Sequence, residues 1–155
     1  MAQIGENDYR EGARARLAEA ARLYQGDCLS GRVYLAGRAV ESVLRGLIWK
    51  PGRSMETGHD LRKLFTQVVN MGLMSGRGCR RYDPSEGLRS LVDMIAARWL
   101  NNMRFVSDRW VEACWRSKCV VTKKNTYRHA TKEFCDVCSS VISQCEKLYG
   151  KVDQK

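Results

Sequence analysis

The 155-residue chain is poor in proline (Pro51 and Pro84), poor in histidine (His59 and His129) and has no long apolar run. Each scarcity excludes something. Two histidines rule out a His-rich metal site and confine imidazole acid–base chemistry to two positions. The longest nearly uncharged stretches fall far short of the roughly 20 apolar residues that a membrane-spanning helix requires, so no membrane span is expected. The first fifteen residues alternate charged and small side chains (Glu6, Asp8, Arg10, Glu11, Arg14) without the apolar core of a signal peptide, which predicts a cytoplasmic protein. Seven cysteines (Cys28, Cys79, Cys114, Cys119, Cys135, Cys138 and Cys145) are an odd number and predict reduced thiols in place of a disulfide framework. No Ser-His-Asp spacing, Walker sequence or paired-carboxylate motif occurs, and no cofactor or metal is expected.

Basic charge is abundant. Lys and Arg number 27 against 17 Asp and Glu, giving a formal charge of +10. Arginine supplies most of it, and its planar fork suits phosphate-bearing partners, so RNA or a nucleotide is the expected ligand class. The length fits one domain with one core, taken as residues 1–150, followed by a polar tail at 151–155.

Between the breakers, apolar residues recur at three-and-four spacing, the signature of helices. A first helix is predicted over Asp8 to Gln25, with Tyr9, Ala13, Leu17, Ala20 and Tyr24 along one side and Gly26 to end it. A second spans Ser30 to Trp49, stopped by Pro51 and Gly52, with Val33, Ala36, Val40, Val43, Leu44 and Leu47 as its apolar stripe. On the opposite, solvent-facing side, Arg38, Glu41 and Arg45 are spaced so that the carboxylate lies between two guanidinium groups. A short third helix starts near Asp60 and ends at Gly72. The segment from Gly72 to Asp83 has no periodicity and carries Arg77, Arg80 and Arg81 as a basic loop suited to phosphate contacts. Asp83 and Pro84 open a fourth helix whose stripe reads Leu88, Leu91, Val92, Ile95, Trp99 and Met103. A short amphipathic piece around Trp110, Val111, Cys114 and Trp115 precedes a last helix from Asn125 to Tyr149. Five to six helices with short loops predict an all-α, up-and-down antiparallel bundle.

Cys135 and Cys138 have the spacing of a zinc pair, with Cys145 as a third thiolate, but the same positions fall on the apolar face of the last helix. Core packing is the expected role. Gly76-Arg77-Gly78 superficially suggests a phosphate loop, yet no strand precedes it and the third glycine of a dinucleotide fingerprint is missing.

Three ordered segments carry a family resemblance. Ser30 to Ile48, centred on Ala39, Glu41 and Leu44, resembles the second helix of HEPN domains, with Val40 replacing the usual small residue. Gly58-His59-Asp60-Leu61-Arg62-Lys63-Leu64 looks like the Thr-His-Asp-Leu start of the third helix in that family, with Gly58 where threonine is usual. Trp99-Leu100-Asn101-Asn102-Met103-Arg104-Phe105 is similar to the family's Trp-then-Arg-Tyr segment at the end of the fourth. The resemblance implies a HEPN-like bundle and a homodimer, and suggests a nucleotidyltransferase partner protein.

It also frames the question of catalysis. HEPN ribonucleases use an arginine followed by a histidine four to six residues further on, without metal. No histidine follows Arg104 in that window, and Lys123, Lys124 and Asn125 stand at the permitted distances before His129. Arg53 and His59 satisfy the spacing but lie in the wrong loop. His59 and Asp60 also have a structural reading, Asp60 as the cap of the third helix and His59 as a hydrogen-bond partner across the loop. For Arg104 the corresponding reading is an Arg–Asp pair with Asp108 at a helix junction. The expected function is therefore a noncatalytic module binding nucleic acid, nucleotide or a partner protein, through Arg104, Arg109, Arg77, Arg80 and Arg81. The alternative is a metal-independent ribonuclease with a rearranged site built from Arg104 and either His59 or His129.

Overall fold

The computed structural model describes residues 4–49, 58–71 and 84–152. Six α-helices occur among them: α1 (Glu6–Gln25), α2 (Leu29–Ile48), α3 (Leu61–Asn70), α4 (Pro84–Arg98), α5 (Asp108–Ser117) and α6 (Tyr127–Val152), with a 3-10 turn at Asn101–Phe105 between α4 and α5. The protein is an all-α bundle. The basic loop with Arg77, Arg80 and Arg81, the Asp83 cap and Arg53 lie outside the described residues.

The centre of the bundle is α2. Fourteen of its twenty residues are buried, because it packs against α1, α3, α5, α6 and the 3-10 turn. A helix surrounded this way needs small residues where neighbours come close. At Gly46 a Cβ would lie 2.1 Å from the Tyr149 hydroxyl of α6, which donates a 2.7 Å hydrogen bond to the Val43 carbonyl and ties the two helices together. The predicted stripe of α2 is the core as expected, with Val33, Ala36, Val40, Val43 and Leu44 fully buried.

Helix ends show which local signals hold. The Asp60 side chain accepts from the backbone N–H groups of Arg62 at 3.0 Å and Lys63 at 3.2 Å, as its position before α3 predicts. Cys28 precedes α2 without a side-chain cap. The missing acceptor comes from 79 residues away: Asp108 Oδ2 takes the Leu29 N–H at 3.3 Å and Oδ1 takes the Ser30 N–H. Asp108→Ala should therefore cost about 1–2 kcal/mol, the usual range for a lost cap, measured by urea denaturation. A loss under a few tenths would show that water caps α2 equally well.

Three expectations need correction. The stripe of the fourth helix continues through Trp99 and Met103, and both are buried, but the helix ends at Arg98 and Leu100 is extended (φ −131°, ψ 139°). The apolar periodicity persists across that break because the 3-10 turn folds back onto α2. Arg38, Glu41 and Arg45 do place a carboxylate between two guanidinium groups, but Glu41 is 2% exposed and does not face solvent. Lys151 and Val152, expected in a polar tail, belong to α6.

Candidate functional site

The segment from Trp99 to Trp110 is held to the bundle at alternate points. Trp99 is buried, donates from Nε1 to the Tyr34 carbonyl at 3.2 Å and lies against Gly37 of α2. Met103 is buried inside the 3-10 turn. Ser107 caps α5 by accepting from the Trp110 N–H at 3.4 Å, and Val111 and Trp115 anchor α5 in the core.

What these anchors leave outside is unusual for a bundle surface. Phe105 is 75% exposed, Trp110 45% and Leu100 41%. Arg104 and Arg109 are exposed among them, with the Arg104 guanidinium 4.4 Å above the Phe105 ring. The expected Arg104–Asp108 pair does not form, since Asp108 is occupied by the N-terminus of α2. Glu112, the next acid along, is bound to Arg116 at 2.6 Å. Among the described residues, neither Arg104 nor Arg109 has a carboxylate within 4.0 Å. Two uncompensated arginines thus stand beside two exposed aromatic rings.

A cleft of about 230 Å³ opens on the other side of Leu100. One wall is the start of α3, with His59, Asp60, Leu61 and Arg62, and the other is formed by Ala96, Trp99, Leu100 and Asn101. His59 is fixed at the back by the buried Glu41, whose Oε1 and Oε2 lie 2.9 and 3.1 Å from His59 Nδ1. Arg38 and Arg45 hold the same carboxylate at 2.6 and 2.8 Å, and Arg45 also donates to the Gly58 carbonyl. Arg38 Nη1 also lies 3.0 Å from His59 Nδ1; in the neutral tautomer with the proton on Nδ1, that proton goes to the carboxylate. Nε2 is then the nitrogen free to accept. Behind Glu41 a second cleft, about 190 Å³, is bounded by Tyr9, Arg16 and Ser42.

The other expected residues are not brought together. His129 is exposed at the start of α6, 3.4 Å from Glu133, and neither histidine is a hydrogen-bond or ion-pair partner of Arg104 among the described residues. Cys135, Cys138 and Cys145 are core residues, as their helix positions suggest. Burial pushes the thiols of Cys135 and Cys138 up, although Arg32 acts against it at Cys135. Burial and Glu146 push Cys145 up to about 12. None of the three is a thiolate nucleophile.

Sequence reasoning had not singled out the outward turn of Phe105 and Trp110, nor Asn101 and the cleft. A signal for Trp110 exists in retrospect: the buried pair of α5 is Val111 and Trp115, at i and i+4, and Trp110 is off that stripe. No protein-family model, curated protein or solved structure matches the chain. Its function is therefore read from its own geometry.

Proposed function

We propose that the chain is a noncatalytic, HEPN-like helical module that binds single-stranded nucleic acid, RNA first of all, through Arg104, Phe105, Arg109 and Trp110. The observation that carries this reading is the juxtaposition, on one anchored segment, of exposed aromatic rings with guanidinium groups that have no carboxylate partner among the described residues. Stacking on aromatic faces is tolerant of sequence and contributes about 1–3 kcal/mol per base, while arginines neutralise phosphates and make binding salt-dependent. The formal charge of +10 adds long-range attraction for a polyanion. Arg77, Arg80 and Arg81, which lie outside the described residues, extend the same reading by their charge. The homodimer and the nucleotidyltransferase partner suggested by the HEPN resemblance belong to this proposal and are checked by light scattering of the protein alone and by co-purification.

The test is fluorescence anisotropy of labelled single-stranded RNA across a salt series. Binding should weaken steadily with salt, Arg104→Ala should reduce the salt slope by about one phosphate's worth, and the Phe105→Ala/Trp110→Ala pair should weaken binding at least about tenfold. Salt-independent binding, or none, would sink the reading.

One observation favours the runner-up, a metal-independent ribonuclease: the Glu41 carboxylate orients His59 and leaves Nε2 free. Arg38, 3.0 Å from that ring, and Arg45 are both engaged by Glu41. RNA cleavage in EDTA that disappears in His59→Ala would promote this alternative.

A further inference from the structure

We infer that the cleft between α1 and α2 is a binding site for a phosphate monoester, the group carried by inorganic phosphate, by a mononucleotide and by the 5′ end of an RNA strand. The site shares no residue with the Arg104–Trp110 segment and stands whether or not that segment binds RNA. Three guanidinium groups line it, Arg16 from α1 with Arg38 and Arg45 from α2. Their side chains are 51%, 34% and 15% exposed, so all three reach solvent. Against them stand the buried Glu41 in the wall and Glu19, which pairs with Arg16 at 2.7 Å. An exposed pair of that kind contributes little, so Arg16 can turn to an incoming anion. The volume, about 190 Å³, is below the roughly 300–1,000 Å³ of pockets that take drug-sized ligands. It suits one phosphate group, with the rest of a nucleotide left outside.

Glu41 decides whether this wall tolerates an anion. Its carboxylate takes Arg38 Nη1 at 2.6 Å, Arg45 Nε at 2.8 Å and His59 Nδ1 at 2.9 Å, so its charge is met on three sides. In return it holds two long side chains in place before any ligand arrives, and their ordering, normally a cost of binding, is already met. A guanidinium carries five N–H donors. Arg38 uses Nη1 on Glu41, and Arg45 uses Nε on Glu41 and Nη2 on the Gly58 carbonyl. Arg38 Nε and Nη2 and Arg45 Nη1 have no acceptor among the described residues. Ser42 Oγ gives its proton to the Tyr9 carbonyl at 2.8 Å, so recognition falls to the arginines. Gly12 leaves the α1 side open, since a Cβ there would stand 3.3 Å from Ser42 Oγ. A carboxylate would occupy one guanidinium fork, whereas a phosphate monoester offers three acceptor oxygens to three forks.

The experiment is calorimetric titration of the full chain at fixed ionic strength with inorganic phosphate, adenosine 5′-monophosphate and acetate, with sodium chloride and adenosine as blanks. Anisotropy compares 5′-phosphorylated with 5′-hydroxyl RNA in parallel. Wild type should bind at least one phosphate-bearing probe above its blank, and the tightest arm identifies which source of the group the site takes. Arg38→Met should weaken that binding at least about tenfold, as a lost charge-assisted hydrogen bond predicts. Arg14→Met removes the same charge from a side chain outside the cleft and should change it less than about twofold, as should Arg104→Ala. Circular dichroism melts check that each variant is folded. Three results would overturn the site: no phosphate-bearing probe binding above its blank with equal affinities for the two RNAs, acetate binding as tightly as phosphate, or equal weakening by Arg38→Met and Arg14→Met. Failure of 5′-hydroxyl RNA to bind would sink the RNA reading and leave this site standing.

Discussion

Arg45→Met should lower the free energy of unfolding by about 3 kcal/mol, the cost typical of leaving one member of a buried ion pair without its partner. Glu41 is 2% exposed and its carboxylate is shared by Arg38, Arg45 and His59. The three partners are not equivalent. The Arg45 side chain is 15% exposed, against 34% for Arg38 and 46% for His59. Arg45 also closes the loop before α3 through the Gly58 carbonyl. Arg38→Met removes a contact that water already screens and should cost only about 1 kcal/mol or less. Replacing both buried members, as in Glu41→Leu/Arg45→Met, should recover most of the loss, since an apolar pair of similar size is often as stable as a buried ion pair. Urea denaturation of the three variants measures this. An Arg45→Met cost near zero would mean that Arg38 and His59 alone satisfy the carboxylate.

That cluster also shows how far the sequence could be read. The spacing of Arg38, Glu41 and Arg45 is local, so the carboxylate between two guanidinium groups was legible. Its burial was not, because it depends on α1 and the His59 loop covering that face of α2. Asp60 illustrates the same division: its cap on α3 acts within three residues, and local sequence suffices. Asp108 caps a helix 79 residues earlier, and the only local hint was negative, a Cys28 that cannot cap α2. The stop of α4 at Arg98 was hidden for a related reason. Trp99 and Met103 remain apolar and buried while the backbone changes from α to extended to 3-10, so burial kept the period that hydrogen bonding had abandoned. Arg104 and Arg109 were picked out by charge alone. Only the fold shows that Asp108 and Glu112 are engaged elsewhere, which leaves both arginines without a carboxylate partner among the described residues.

Gly37→Val should destabilise the protein by more than about 3 kcal/mol, beyond the usual range for overpacking, and should also displace the Trp99 wall of the cleft beside His59. A Cβ at Gly37 would stand 2.3 Å from Trp99 Cδ1 and Nε1 and 2.5 Å from Cγ. The obstacle is a buried, rigid ring, 3% exposed, so it cannot yield as a flexible side-chain end would. Moving it breaks the Nε1 hydrogen bond to Tyr34 and shifts the wall that faces His59. Gly37→Ala sets two effects against each other. Alanine in a helix interior gains about 1 kcal/mol over glycine, and overpacking costs about 1–3 kcal/mol; with so short a distance to a buried ring the second should win, for a net loss of up to about 2 kcal/mol. Combining Gly37→Ala with Trp99→Leu should remove the clash and restore part of that stability. Thermal melts and tryptophan fluorescence read the two consequences separately. A Gly37→Ala variant more stable than wild type would mean that α2 and the segment after α4 are not in the close contact on which the packing depends.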